Sequence, residues 1–400
     1  MHETIDQEIR RTKLAAGGIH GGMRLGIIGG GQLARMTAMA AYQLGCDVAV
    51  LEKNNYSPAA VLAANSVVGD WGNLEALARL ARQVDVLTVE NEFIDAELLG
   101  SLERFGVRLL PSALSMKLVQ DKLLQKQTLA AAGLLVPRFQ PADSEASVIA
   151  AGRDLGWPLL LKARRNAYDG KGNVTVRRPE DVPAAWKTLG DAAGLYVEEF
   201  CPFERELAVM VTRSRGGETA VYPVVDTVQR DHICHEVVAP ADVAPGVREE
   251  AARVALRAIE AVGGTGTFGV ELFLAPGGRV LINELAPRVH NSGHYTIEAA
   301  LCSQFENHVR AVFGLPLGST AMVAPAAAMV NLLGHVKSPA VAHGVDRALA
   351  VPGAHVHIYG KVMSAPGRKM GHVTALGASA AEALERARTA AQAISFGEPR

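Results

Sequence analysis

The sequence predicts a mixed fold, α/β at its start and α+β beyond, and three stretches carry that expectation. RLGIIGGGQLARMTAMAAYQLGCDVAVLE, from Arg24, reads as strand, glycine turn, amphipathic helix and strand. WPLLLKARRNAYDGKGNVTV (157–176) reads as a buried strand, a glycine-rich loop and a second strand. FGVELFL, from Phe268, and the run Val280-Leu281-Ile282 flank Ala275-Pro276-Gly277-Gly278, a sequence suited to a tight reversal; NELAPRVHNSGH (283–294) follows. At 400 residues and 49% apolar content, the chain has core enough for about two to four domains. A net charge of −1 implies neither nucleic-acid nor membrane electrostatics. The four scattered cysteines (Cys46, Cys201, Cys234, Cys302) argue for a reducing compartment, and hence a cytoplasmic protein, and against a disulfide scaffold or cysteine zinc site. The longest apolar candidate for a membrane span, 321–333, is interrupted by Pro325 and Asn331.

Residues 1–22 are polar, finish in glycines and lack the apolar segment of a signal peptide; they read as a loose N-terminal extension. The fold proper is expected from Met23. Gly29-Gly30-Gly31 turns the chain from strand into helix and Glu52 ends the second strand, in the geometry of a dinucleotide fold, but the glycine spacing is incomplete. A tight turn, with a substrate phosphate nearby, is the reading preferred over nicotinamide binding. VDVLTVENEFI (84–94) is a further strand that exposes Glu90 and Glu92 at its carboxyl end, the edge where open α/β sheets bind ligands; solvated strand-end carboxylates are the plain alternative. After Pro111-Ser112 a helical segment, SALSMKLVQDKLLQKQTLAAAGL, carries lysines that would suit a solvated face.

In the second stretch Lys162 ends a strand, and the loop Ala167-Tyr168-Asp169-Gly170-Lys171-Gly172-Asn173 offers backbone N–H groups and a lysine to polyphosphate oxygens. Its glycines permit closure as a lid; an ordinary hairpin connection is the competing reading. In LYVEEFCPFERELAVMV (195–211) two strands flank Glu198-Glu199-Phe200-Cys201, and Glu204 and Glu206 share a face by period two. An even-length loop between the runs bearing Glu271 and Glu284 makes these carboxylates diagonal neighbours able to share one hard cation; a one-residue change in loop length parts them. The pairs His232/His235 and His290/His294 lack zinc-site spacing and read as polar-surface or substrate-contacting histidines. HVHIYGKVMSAPGRKMGHVTAL (355–376) reads as a hairpin turning at Pro366-Gly367, with a structural helix at about 378–395 behind it.

The string NELAPRVHNSGH, with YDGKG, closely resembles the signature of the 5-(carboxyamino)imidazole ribonucleotide synthases, ATP-grasp enzymes of de novo purine synthesis, and the resemblance runs from about Met23 to the C-terminus. It implies a Rossmann-like N-terminal domain (23–118), a central ATP-grasp domain (119–315, lid about 138–200) and a small β-rich C-terminal domain (316–400). The implied reaction is ATP-dependent carboxylation of 5-aminoimidazole ribonucleotide by bicarbonate through carboxyphosphate, with Mg²⁺, in a cytoplasmic homodimer. By the same resemblance Lys122, Lys162, the 167–173 loop, the 198–201 edge, Glu206, Asn283 and Glu284 hold ATP, and Glu271 and Glu284 hold the metal. Glu90, Tyr168, Lys171, Asn291, Lys361 and Arg368 touch the ribonucleotide, the last pair at its 5′-phosphate, while Arg288 and His290 are catalytic. The sequence departs from the family pattern at Val89 (usually Tyr), Asn166-Ala167 (usually glycines) and Gln229 (often His). A sister ligase using formate or another carboxylate, a dinucleotide oxidoreductase resting on Gly29–Gly31, and a non-catalytic nucleotide-binding module are the alternatives.

Overall fold

The structure is a computed structural model that describes residues 22–166, 172–190 and 194–397. The expected N-terminal extension, apart from Gly22, lies outside the described residues. Strands β1 (Arg24–Ile28), β2 (Asp47–Glu52), β3 (Asn65–Val68) and β4 (Val86–Val89) form a parallel sheet in the order β3-β2-β1-β4. Alternation along β2 sends Val48 and Val50 to one face and Ala49 and Leu51 to the other, each under its own helices. The order reverses direction at β1, so the crevice at the carboxyl ends of β1 and β4 is the switch point where such sheets bind ligands.

The segment expected as one helix is two, Ala113–Gln120 and Lys122–Ala131. Asp121 stands extended between them because its carboxylate caps Leu124 N–H at 3.2 Å and receives Arg164 at 3.0 and 2.6 Å. A second sheet of β5 (Phe139–Ala142), β6 (Leu159–Ala163), β7 (Asn173–Val176) and β8 (Leu195–Glu199) follows, in the antiparallel order β5-β8-β6-β7. Helices Glu145–Leu155 and Val182–Leu189 close its core.

The central sheet takes β9 (Arg205–Arg213), β10 (Thr219–Val221), β11 (Val225–Arg230), β12 (Ile233–Ala239), β13 (Gly266–Ala275), β14 (Arg279–Ala286) and β15 (Ala326–Leu333). Of the later strands, β16 (Ser338–Pro339), β17 (Ala342–His343), β18 (Ala354–Ile358), β19 (Met363–Ser364), β20 (Lys369–Gly377) and β21 (Ser395–Phe396), two extend it, giving the order β14-β13-β9-β11-β12-β15-β20-β18. Along β13, Phe268, Val270, Leu272 and Leu274 pack under helices Lys122–Ala131 and Pro245–Ala261, which leaves Glu271 on the opposite face. Helix Gln304–Phe313 joins the first sheet to this one. His308 accepts Thr267 N–H at 3.0 Å on its Nδ1, so its Nε2–H donates to Thr88 Oγ1 at 2.8 Å.

The expected terminal hairpin is present only in part. β18 and β20 pair antiparallel, but 359–368 connects them, and β19 within that segment pairs β16. Pro366-Gly367 does form a turn, closed by Arg368 N–H to Ala365 O at 3.0 Å with Gly367 at φ +74°, inside this longer excursion. The helix after it spans Ala380–Gln392.

Candidate active site

The hairpin β13–β14 is closed by three residues, Pro276, Gly277 and Gly278, and not by an even number, so ladder pairing such as Leu272↔Ile282 would put Glu284 into the core. A β-bulge corrects it. The register shifts beside Glu271, Asn283 becomes the extra residue, and Glu271 lies directly opposite Glu284 and not diagonal to it. Leu285 then fills the core position and the two carboxylates share the cleft face. Burial and the facing Glu284 push the Glu271 carboxyl well above the usual carboxylate range. Burial opposes ionisation of Glu284 too, but the Lys122 ammonium contacts Glu284 Oε2 and holds its carboxyl down. Among the described residues Glu284 has a lysine in contact and Glu271 has none, which fits a divalent ion of the oxygen-binding kind.

Behind this pair stands a buried lysine cradle. Glu198 accepts Lys126 and Lys162, each at 2.6 Å; burial opposes its charge, yet the two ammonium groups bring it down to about 2. Its side chain is thus committed inward, which leaves only its main chain for an adenine edge. Glu199 holds Arg138 at 2.7 Å, and Phe200 is exposed. Glu206 lines the cleft, its carboxyl raised to about 6 by burial, while Glu204 is exposed. Positions 167–171 of the expected lid loop, Tyr168 and Lys171 among them, lie outside the described residues; Gly172 and Asn173 rejoin β7, and Asn173 lines the cleft.

The third wall joins the signature loop to the first sheet. Arg288 donates through Nε and Nη2 to Glu92 at 2.5 and 2.9 Å, across 196 positions of chain. Glu92, expected with Glu90 at the ligand-binding edge of the sheet but given no role from sequence, is here the partner of Arg288. Glu90 does not line the cleft. Its carboxylate accepts Gly31 N–H at 2.5 Å, Glu52 accepts Gly30 N–H at 2.8 Å, and burial raises Glu90 to about 7. The glycine turn expected near a substrate phosphate thus already holds the protein's own carboxylates. A Cβ on Gly31 would meet Glu90 Oε1 at 2.1 Å, so a larger residue there would push the Glu90 carboxylate out of this position.

His290 places Nδ1 at 3.0 Å from Ser292 Oγ and Nε2 at 3.5 Å from Glu271. Burial and the Arg288 charge lower its pKa to about 3, so it is neutral at neutral pH. His294, expected at the surface or on substrate, is instead fully buried against Phe305 and His372, because its turn packs under β20. His232 does line the cleft, from the turn between β11 and β12, whereas His235 faces a separate cavity. The cleft encloses about 660 Å³ between Glu271, Glu284, Lys162 and Arg288 on one side and Lys361, Arg368 and Lys369 on the other. Lys361 donates to Lys369 O and Arg368 to Met363 O, both at 2.6 Å. Lys369 was not foreseen; its adjacency to Arg368 was the available signal. Gln229 and Asn291 also reach the cleft.

With this geometry in place, similarity to known proteins is extensive. Family models match for the ribonucleotide synthetase preATP-grasp domain (residues 23–120), the ATP-grasp domain (127–305) and the phosphoribosylaminoimidazole carboxylase C-terminal domain (327–386). N5-carboxyaminoimidazole ribonucleotide synthase of Synechococcus elongatus is 44% identical over 92% of this chain and 92% of its own. The crystal structure of N5-carboxyaminoimidazole ribonucleotide synthetase from Thermotoga maritima matches with a TM-score of 0.85 at 38% identity, over 94% of this chain and 99% of that one. The N5-carboxyaminoimidazole synthase of Aspergillus clavatus, solved with ADP and 5-aminoimidazole ribonucleotide, gives 0.85 at 34%, over 93% and 98%.

Proposed function

Because this chain belongs to the N5-carboxyaminoimidazole ribonucleotide synthases, ATP-grasp ligases of purine biosynthesis, we propose that its cleft activates bicarbonate with ATP and passes the carboxyl group to the ribonucleotide amine. The chain is an ATP-dependent ligase that converts 5-aminoimidazole ribonucleotide to its N5-carboxylated form. The observation that carries the finer proposal is the facing pair Glu271 and Glu284, set in one cleft with Lys122, Lys162 and Arg288.

Bicarbonate is a poor electrophile because its oxygen leaves badly. Attack of that oxygen on the γ-phosphorus of ATP forms carboxyphosphate and releases ADP. The amine nitrogen then attacks the carboxyl carbon, or CO2 released from it, and phosphate departs, basic enough to take the proton the amine loses. Glu271 and Glu284 would hold Mg²⁺, which supplies counter-charge to the polyphosphate. Lys162, Lys122 and the 167–173 loop grip phosphate oxygens, and Glu206 accepts the ribose hydroxyls. Arg288, held in plane by Glu92, offers fixed charge to the transferred group. His290 acts as a neutral hydrogen-bonding group, since a pKa near 3 makes it a weak base. Lys361 and Arg368, with Lys369, meet the 5′-phosphate.

The domain limits near 118 and 315 are part of this proposal, with the β5–β8 sheet as the lid; so are a homodimer and a cytoplasmic location. Among the described residues no disulfide joins the cysteines, and no helix is long and apolar enough to cross a membrane.

The decisive experiment is isotopic. Oxygen-labelled bicarbonate should transfer one label into the released phosphate, and ATP cleavage should rise sharply only when ribonucleotide and bicarbonate are both present. Unlabelled phosphate, or equal stimulation by formate, would defeat the reading. The raised Glu206 carboxyl adds a pH signature. Its acceptor form is lost as pH falls through about 6, so KM for ATP should climb roughly fivefold to tenfold between pH 6.5 and 5. Titration of the substrates' own phosphates persists in Glu206→Gln; the part due to Glu206 should vanish.

A further inference from the structure

Asn291 lines the cleft in the signature loop, and its side-chain amide forms a two-bond pair with Asn331 of β15. Asn291 Nδ2 donates to Asn331 Oδ1 at 2.9 Å, and Asn331 Nδ2 donates to Asn291 Oδ1 at 2.7 Å. Such a pair alone is ambiguous, because flipping both amides restores the same two bonds with every donor and acceptor exchanged. The ambiguity is broken outside the pair. The second N–H of Asn331 donates to the Cys234 carbonyl at 2.9 Å, and a backbone carbonyl can only accept.

We propose that Asn331, fixed by the Cys234 carbonyl, is a positioning residue that sets which edge of the Asn291 amide presents a donor and which an acceptor to the ribonucleotide. The proposal rests on the assignment of Asn291 to the substrate.

Placement supports it. β12 and β15 pair from Glu236 to Ala239 and no nearer to Cys234, so its carbonyl lies beyond the ladder and is met by the Asn331 side chain instead. Beside Cys234 the pairing with β11 is bulged: Val228 faces Glu236 and Gln229 faces Cys234, which leaves His235 of β12 as the extra residue. Asn331 is 6% exposed, both of its N–H groups are engaged and its oxygen accepts from Asn291, so it has no donor left for substrate. It borders a cavity of about 450 Å³ that does not include Asn291, while the substrate cleft does not include Asn331. Asn331 thus reaches the cleft only through its bonded neighbours, Asn291 and the Cys234 carbonyl, and the double variant with Asn291→Ala separates the two routes. The pair leaves Asn291 one N–H and one lone pair, and the lock decides where each lies.

Two variants and a cycle test this. Asn331→Asp keeps the shape but sets oxygens against the Cys234 carbonyl and Asn291 Oδ1. It should raise KM for the ribonucleotide or lower kcat by about tenfold or more, with KM for ATP within about twofold. Asn331→Leu frees the Asn291 amide without repulsion and should give a smaller loss of the same pattern. In an Asn291→Ala background, Asn331→Leu should change neither constant further, because the group it orients is gone. Unchanged ribonucleotide kinetics in both single variants would overturn the proposal. So would multiplication of the two losses in the double variant, since a merely structural tether would act regardless of Asn291. Wild-type enzyme is the control: if it shows no ribonucleotide-stimulated turnover, the functional reading has failed and not the amide lock.

Discussion

Arg288→Met should lose roughly a hundredfold to a thousandfold in ribonucleotide-stimulated ATP cleavage while retaining ATP binding, the loss typical when a fixed charge is withdrawn from a transition state. The structure adds a second consequence. Arg288 and Glu92 hold each other bidentately with side chains 16% and 24% exposed, so the substitution strands a carboxylate that burial disfavours. A stability loss of roughly 2–4 kcal/mol should accompany it, less than for a dry pair because some solvent remains. Adding Glu92→Gln removes the stranded charge. The double variant should therefore regain thermal stability and stay inactive. Recovery of turnover along with stability would mean that Arg288 serves the fold alone, and single-turnover phosphate release with a melting curve separates the two outcomes.

Glu284→Gln should lower turnover by about a hundredfold or more at ordinary Mg²⁺ while the fold persists, because it keeps the side chain's shape and removes one charge from the cation pair. Stability should change by no more than about 1 kcal/mol, since the variant relieves repulsion on Glu271 as it takes a partner from Lys122. Turnover measured against Mg²⁺ concentration tests this. Wild-type rates in the variant at ordinary Mg²⁺ would remove Glu284 from the site.

Most of the architecture was legible in order along the chain. The glycine turn after β1, the strand–loop–strand at 159–176 and the alternation that buries Phe268, Val270 and Leu272 follow from periods and turn residues within a dozen positions. The resemblance carried by NELAPRVHNSGH and YDGKG is borne out at the level of family and reaction. Local signals were weaker wherever a side chain's partner sits elsewhere. Asp121 breaks its helical segment because Arg164 comes to it from the end of β6. The glycine turn donates to carboxylates from two other strand ends, Glu52 and Glu90.

What the sequence alone determined, then, is which residues form strands and helices and which family they build. These are set by backbone preferences and by the spacing of apolar side chains among near neighbours. What only the tertiary structure decided is the pairing of charges and amides inside the site. The loop closing β13–β14 has the wrong parity to bring Glu271 and Glu284 together, and a bulge at Asn283 restores it, because the core accepts Leu285 and not Glu284. Glu92 reaches Arg288 only after the first sheet has docked on the central one, and Asn331 reaches Asn291 only once β15 has joined that central sheet. Strand register changes a residue's face with every single-position slip, and docking joins positions up to 196 apart, so no period or motif along the chain encodes either.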